Sequence, residues 1–162
     1  MKQTRFSRAV TAAFTGHRAC PPSMRNVIKS RLSAAILDAY EHGIRNFVSG
    51  FALGFDLLAA EAVLALKASH PDITLTAAVP FRGQPNKFTF TERLRYERFL
   101  SLADEVIVLS ERYYRRCFLE RDEFMVDNAS LVIAYYDGRE KGGTYYTVKR
   151  ASAAGIRIVN VF

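Results

Sequence analysis

Apolar residues fall in short blocks along this chain, and two kinds of spacing take turns. Nearly continuous apolar runs recur over 9–15, 45–49, 73–79, 104–109, 129–136 and 156–161. Each predicts a short strand covered on both faces. Longer amphipathic stretches separate them. The clearest covers 24–42, where Val27, Ile28, Leu32, Ala35, Ile36 and Ala39 form a stripe at helical spacing. Gly43 suits the C-terminal cap of that helix. Further helices are predicted from Gly54 or Asp56 to about residue 69, over 91–103, over 120–128, and from the 142–144 turn to 154. Residues 113–118 fit neither spacing. Strands and helices therefore alternate from end to end.

Such alternation predicts an α/β, three-layer Rossmann-like fold, with a mostly parallel central sheet flanked by helices. Right-handed crossovers bring the loops that follow the strands to one edge. These loops are 16–23, 50–56, 80–86, 110–114 and 137–144, and ligands of open α/β sheets bind at that edge. The 162 residues suffice for one domain with its own core, expected over 1–162. No repeat, linker or low-complexity stretch interrupts it.

Charge adds a direction. The net charge is +7, from 23 Lys+Arg against 16 Asp+Glu, which favours anionic partners. Basic clusters fall at 2–8, 93–98, 112–116 and 141–150. Cys20 and Cys117 are far apart, and His17, His42 and His70 are scattered, so neither a disulfide framework nor a metal site is expected. No apolar run is long enough to span a membrane, and no membrane partner is expected. The basic start and the brief apolar run behind it suit a first strand better than a signal peptide. The cytoplasm is the expected location.

Candidate chemistry lies in the strand-end loops. Gly50 and Gly54 break a strand and open a helix, a shape that lets backbone approach a phosphate. Asp56 suits the helix start or a ligand hydroxyl or amine. Gly16, His17 and Arg18 leave the first strand together: Arg18 offers a two-pronged grip on an anion, and His17 a donor or a base. Gly142, Gly143 and Thr144 form a second glycine turn, with amides and a hydroxyl for phosphate. Asp137 ends the fifth strand. Gln84 and Asn86 stand in a loop over the crevice, suited to a base or ribose edge. Asp122, Glu123, Asp127 and Asn128 form a polar knot that braces a helix end, with Arg121 pairing to one of the acids. Tyrosines fall in adjacent pairs at 113–114, 135–136 and 145–146, and interleaved arginine suits them to stack on bases. The glycines match neither a P-loop nor the dinucleotide fingerprint. No nucleophile elbow or Cys-His arrangement occurs.

In combination, Phe14-Thr15-Gly16-His17-Arg18, the 49–56 segment with Glu61, the 80–84 segment, the 121–130 segment, Asp137-Gly138 and Gly142-Gly143-Thr144 resemble the YpsA-like branch of the SLOG superfamily. That Rossmann-like group includes the DNA-processing protein DprA and the LOG enzymes. The resemblance covers almost the whole chain. It implies a nucleotide or nucleotide-derived ligand held at the strand ends by Gly16, Arg18, Gly50, Gly54, Asp56, Gly143 and Thr144. LOG enzymes carry a glutamate three residues after the threonine of their glycine-rich motif, whereas Thr147 stands at that distance here. The resemblance assigns no reaction and no cofactor. Three functions follow as expectations: a binding domain for a nucleotide-derived small molecule, a hydrolase of such a ligand using Asp56 or Glu61, and a single-stranded nucleic-acid binding module. A homo-oligomer is expected from the open sheet edges.

Overall fold

The computed structural model describes residues 6–162. Part of the basic 2–8 cluster lies outside the described residues. Among the described residues six strands form one wholly parallel sheet: β1 (Thr11–Gly16), β2 (Asn46–Ser49), β3 (Thr74–Val79), β4 (Glu105–Val108), β5 (Leu131–Tyr135) and β6 (Arg157–Asn160). Their order across the sheet is β4-β3-β2-β1-β5-β6. Five helices connect them: α1 (Arg25–Glu41), α2 (Phe55–Lys67), α3 (Phe90–Leu102), α4 (Cys117–Asp127) and α5 (Gly143–Ala153). The Rossmann-like α/β expectation is therefore met.

Strand alternation sorts the core into two layers. Phe14, Phe47, Leu75 and Ile133 pack with buried residues of α1, α2 and α3. Their neighbours Ala13, Val48 and Ala78 meet Met125 of α4, and Val132 and Ala134 meet Val126 of α4 and Ala151 of α5. Large side chains fill one face and mostly small ones the other, so α4 lies close over the strand ends.

The central strand β1 pairs with β2 on one side and β5 on the other. Chain order reverses there, which opens a crevice at the carboxyl ends of β1 and β5. Two boundaries differ from expectation. Residues Arg8–Val10 form a short 3-10 turn before β1. Helix α4 begins at Cys117, inside the unassigned stretch, because tertiary packing buries Cys117. Among the described residues no helix is long and apolar enough to cross a membrane.

Candidate functional site

The loop after β1 is tied to both neighbours. His17 N–H donates to Tyr135 O at 3.4 Å, and Phe55 N–H donates to His17 O at 3.2 Å. The first amide of α2 is thus spent inside the protein. Asp137 N–H donates to His17 Nε2 at 3.0 Å, and Asp137 Oδ1 lies 3.2 Å from the same nitrogen. His17 therefore bridges the two loops that flank the switch in strand order.

The β2–α2 turn is held from several sides. Phe51 takes φ +57, a region a bulky residue rarely enters. Its ring is fully buried and stands edge-on to Tyr96 at 5.9 Å, while its N–H donates to Ser49 Oγ at 3.3 Å. Gly54 has φ +84, and a side chain there would run into the Arg18 backbone. A side chain at Gly50 would meet the Arg121 guanidinium and the Asp56 carboxylate. Both glycines serve close packing within the protein.

Helix α4 supplies the floor charge. Arg121 is 4% exposed. It donates from Nη1 to Gly50 O at 2.7 Å and from Nε to Asp122 Oδ1 at 2.7 Å. Asp56 and Asp122 thus face one buried cation. Burial pushes the Asp56 carboxyl up to about 7; Asp122 adds to the rise, while Arg121, an Ala52 amide and Arg18 oppose it. Asp122 is raised as well, chiefly by burial, against Arg121 and the Thr147 hydroxyl. The Asp56 carboxyl, with its pKa near 7, can both donate and accept hydrogen bonds at neutral pH.

Helix α5 closes the opposite wall. Its first ladder bond runs from Tyr146 N–H to Gly142 O at 3.1 Å. The amides of Gly143, Thr144 and Tyr145 come before it and have no partner in that ladder. Together these elements enclose a cavity of about 460 Å³, a size suited to a small ligand. Arg18, Arg115 and Lys141 line it, and none of the three makes an ion pair among the described residues.

Of the residues singled out in the sequence, Gly16, His17, Arg18, Asp56, Gly143 and Thr144 line this cavity. Gly50 and Gly54 lie behind it. Asp137 reaches it only through His17. Gln84 is a correction: it is buried, donates from Nε2 to Gly50 O at 3.1 Å and accepts from Tyr96 OH at 3.1 Å, so its amide is committed internally. Glu61 is another, since it points away and pairs with Lys29 at 3.5 Å and Arg95 at 3.0 Å. The acid that accompanies Asp56 is Asp122, a member of the polar knot expected to brace a helix end. Bracing holds further along α4, where Arg150 grips Asp127 at 3.0 Å and Asn128 bonds Phe124 O at 2.8 Å. Arg115 and Lys141 carried no sequence signal beyond their basic clusters.

Known proteins are similar to this chain in sequence and in fold. A Bacillus subtilis (strain 168) protein, the uncharacterized SPbeta prophage-derived YoqJ, is 32% identical over 129 residues, covering 71% of this chain and 75% of that one. A UPF0398 protein of Bacillus cereus (strain B4264) is 30% identical over 130 residues, covering 79% of this chain and 71% of that one. Two solved structures share the fold. DNA processing protein A (DprA) from Streptococcus pneumoniae superposes with a TM-score of 0.61 at 21% identity, over 91% of this chain and 48% of that one. DprA from Helicobacter pylori does so with a TM-score of 0.61 at 17% identity, over 92% and 63%. The chain thus spans less than two thirds of either DprA chain. The family model described as the YspA SLOG family matches residues 21–157, which include Asp56, α4 and the glycine turn of α5, and the chain belongs to that YpsA family.

Proposed function

We propose that this protein binds a nucleotide or nucleotide-derived ligand at the carboxyl ends of β1, β2 and β5. One observation carries this reading: Arg18, Arg115 and Lys141, none of them held in an ion pair among the described residues, converge with the open amides of α5 on one cavity. Unpaired cations and a helix N-terminus suit phosphate. Asp56 and Asp122 on the floor suit the hydroxyls of a ribose. The test is to offer the protein a pool of nucleotides, ADP-ribose, NAD and short single-stranded oligonucleotides, and to identify what stays bound by native mass spectrometry. Arg18→Ala and Gly143→Asp should each weaken a retained ligand at least tenfold while the fold survives. Unchanged affinity in both variants would remove the site assignment.

A second reading, single-stranded nucleic acid, has its own support. The H. pylori DprA structure is described for its single-stranded DNA binding mode. Here another cavity also includes Arg18, and its lining of Arg25, Lys29 and Arg95 against Glu61 and Glu92 keeps an excess of positive charge. This reading expects affinity that grows with oligonucleotide length and falls steeply with salt. Retention of mononucleotides alone would count against it. Hydrolysis of the bound ligand is a further step, with Asp56 and Asp122 as the acid–base pair; release of base or phosphate from the pool would reveal it. Self-association and a cytoplasmic location belong to the same proposal. Exposed Phe90, Leu94 and Leu102 on α3 and Val106 on the edge strand support self-association, and light scattering of the purified protein tests it.

A further inference from the structure

Apart from the cavity bordered by Arg25, Lys29 and Arg95, a further cavity of about 520 Å³ includes Arg18 and adjoins the first one described. Arg18, Ala52 and Phe118 line both cavities, so the two share a wall. Their linings differ in kind. The first is lined mainly by charged and polar groups, whereas this one has four aromatic rings, Phe81, Phe88, Tyr113 and Phe118, beside Arg18 and Lys87. Phe81 stands edge-on to Tyr113 at 5.5 Å and to Phe118 at 5.9 Å, and Tyr113 and Phe118 are 6.3 Å apart. Tyr113 is 62% exposed, which leaves much of its ring uncovered. The planar Arg18 guanidinium sits over Phe118 at 5.2 Å from the ring centre.

The polar groups of this cavity are also sorted. Gln84 is spent on Gly50 and Tyr96. Asn86, two residues on, is exposed, and its side-chain amide makes no hydrogen bond among the described residues. Uncovered ring faces, a flat cation and one free amide match a flat heterocycle with donors and acceptors on its edge. A heterocycle covalently joined to an anion, placed in adjoining compartments, is a nucleotide.

We propose that the Phe81–Tyr113–Phe118 cluster is the base subsite of the ligand, with Asn86 reading the base edge and Arg18 standing between base and phosphate. This rests on the nucleotide reading above and adds where the base lies and what selects it. The three tyrosine pairs are then unequal. Tyr135 is buried against Phe55, Tyr114 and Tyr146 donate to Glu120 and Glu123, and Tyr136 stacks with Tyr145. Of the six, Tyr113 is the one that lines an aromatic cavity.

Calorimetric titration with the four common nucleoside 5′-monophosphates and with ribose 5-phosphate tests the subsite. At least one nucleotide should bind more tightly than ribose 5-phosphate, by about five- to 150-fold, the range spanned by one base–aromatic stack. Tyr113→Ala should erase that gain and leave ribose 5-phosphate affinity unchanged. Tyr113→Phe, which keeps the ring, should keep the gain. Asn86→Ala should narrow the differences among the four nucleotides. Equal affinity of all nucleotides and ribose 5-phosphate would overturn the subsite and leave the anion site standing. So would a Tyr113→Ala variant, folded by circular dichroism, that weakens neither or weakens both alike. Absence of binding by any of the five would overturn the nucleotide reading and the subsite with it.

Discussion

The Arg121 guanidinium closes on the Gly50 carbonyl at 2.7 Å, across 71 residues of sequence. This bond fixes α4 to the β2–α2 turn and holds in place the buried cation that faces both floor carboxylates. Arg121→Met would leave Asp56 and Asp122 buried without it. The expected loss is about 3–5 kcal/mol of stability near pH 7.5. It should shrink toward pH 5, where the Asp56 carboxyl, raised to about 7, is protonated and needs no counter-charge. Urea unfolding at the two pH values measures it, and an equal loss at both would contradict the pairing.

Asp56 predicts a slope for the wild-type protein. Its folded pKa is raised from 3.8 to about 7 by burial. Between those values the folded state binds more protons than the unfolded state. The stabilising contribution is therefore complete below about pH 4 and is lost as pH rises through 7. The loss is on the order of a few kcal/mol. Asp122 is shifted in the same direction and steepens it. Arg121 and Arg18 face these groups and already moderate the shift. Chemical denaturation from pH 4 to 8 should show the fall, and Asp56→Asn should flatten it. A parallel slope in the variant would assign the effect elsewhere.

Gln84 separates support from ligand contact. Truncation to alanine leaves the buried Tyr96 hydroxyl unpaired and costs about 1–3 kcal/mol. Adding Tyr96→Phe should recover part of that cost, because no orphaned donor then remains. Ligand affinity of the folded Gln84→Ala protein should match wild type. A large affinity loss without a stability loss would return Gln84 to the site.

Two glycines with left-handed backbone make a paired comparison. Gly43 has φ +99 and open space around it, so Gly43→Ala should cost about 1–2 kcal/mol from backbone strain alone. Gly54→Ala meets the Arg18 backbone closer than 3.0 Å as well. It should destabilise more than Gly43→Ala and also displace Arg18, weakening ligand binding. Equal melting temperatures in the two variants would show that the loop yields freely.

The strands were legible because a parallel sheet covered on both sides needs near-continuous apolar runs, as around Phe14, Phe47 and Ile133. The start of α4 was not, because Arg112, Arg115 and Arg116 are exposed and give no periodicity, while Cys117 is buried only by the assembled fold. Glycine turns marked the loops but not their duties. What Gly50 and Gly54 approach comes from Arg121 and Arg18, distant in sequence. Glu61 follows Asp56 by five residues, which on a helix turns it about 140° away. Asp122 belongs to another helix, and only the packing of α4 over the strand ends brings it to Asp56.

The central place of β1 also sets when the cavity comes into being. Its walls draw on Arg18, Asp56, Asp122 and Gly143, and the β1–β5 pairing joins segments about 120 residues apart. During synthesis β1 and β2 exist long before β5 and the α5 turn. A ligand of this cavity therefore meets only a chain that has finished folding. At a hundredfold excess over its dissociation constant it would add about 2.7 kcal/mol to the stability of that state. Contacts formed after the transition state act on the unfolding rate, so the ligand would lengthen the lifetime of the native protein and leave its speed of folding unchanged.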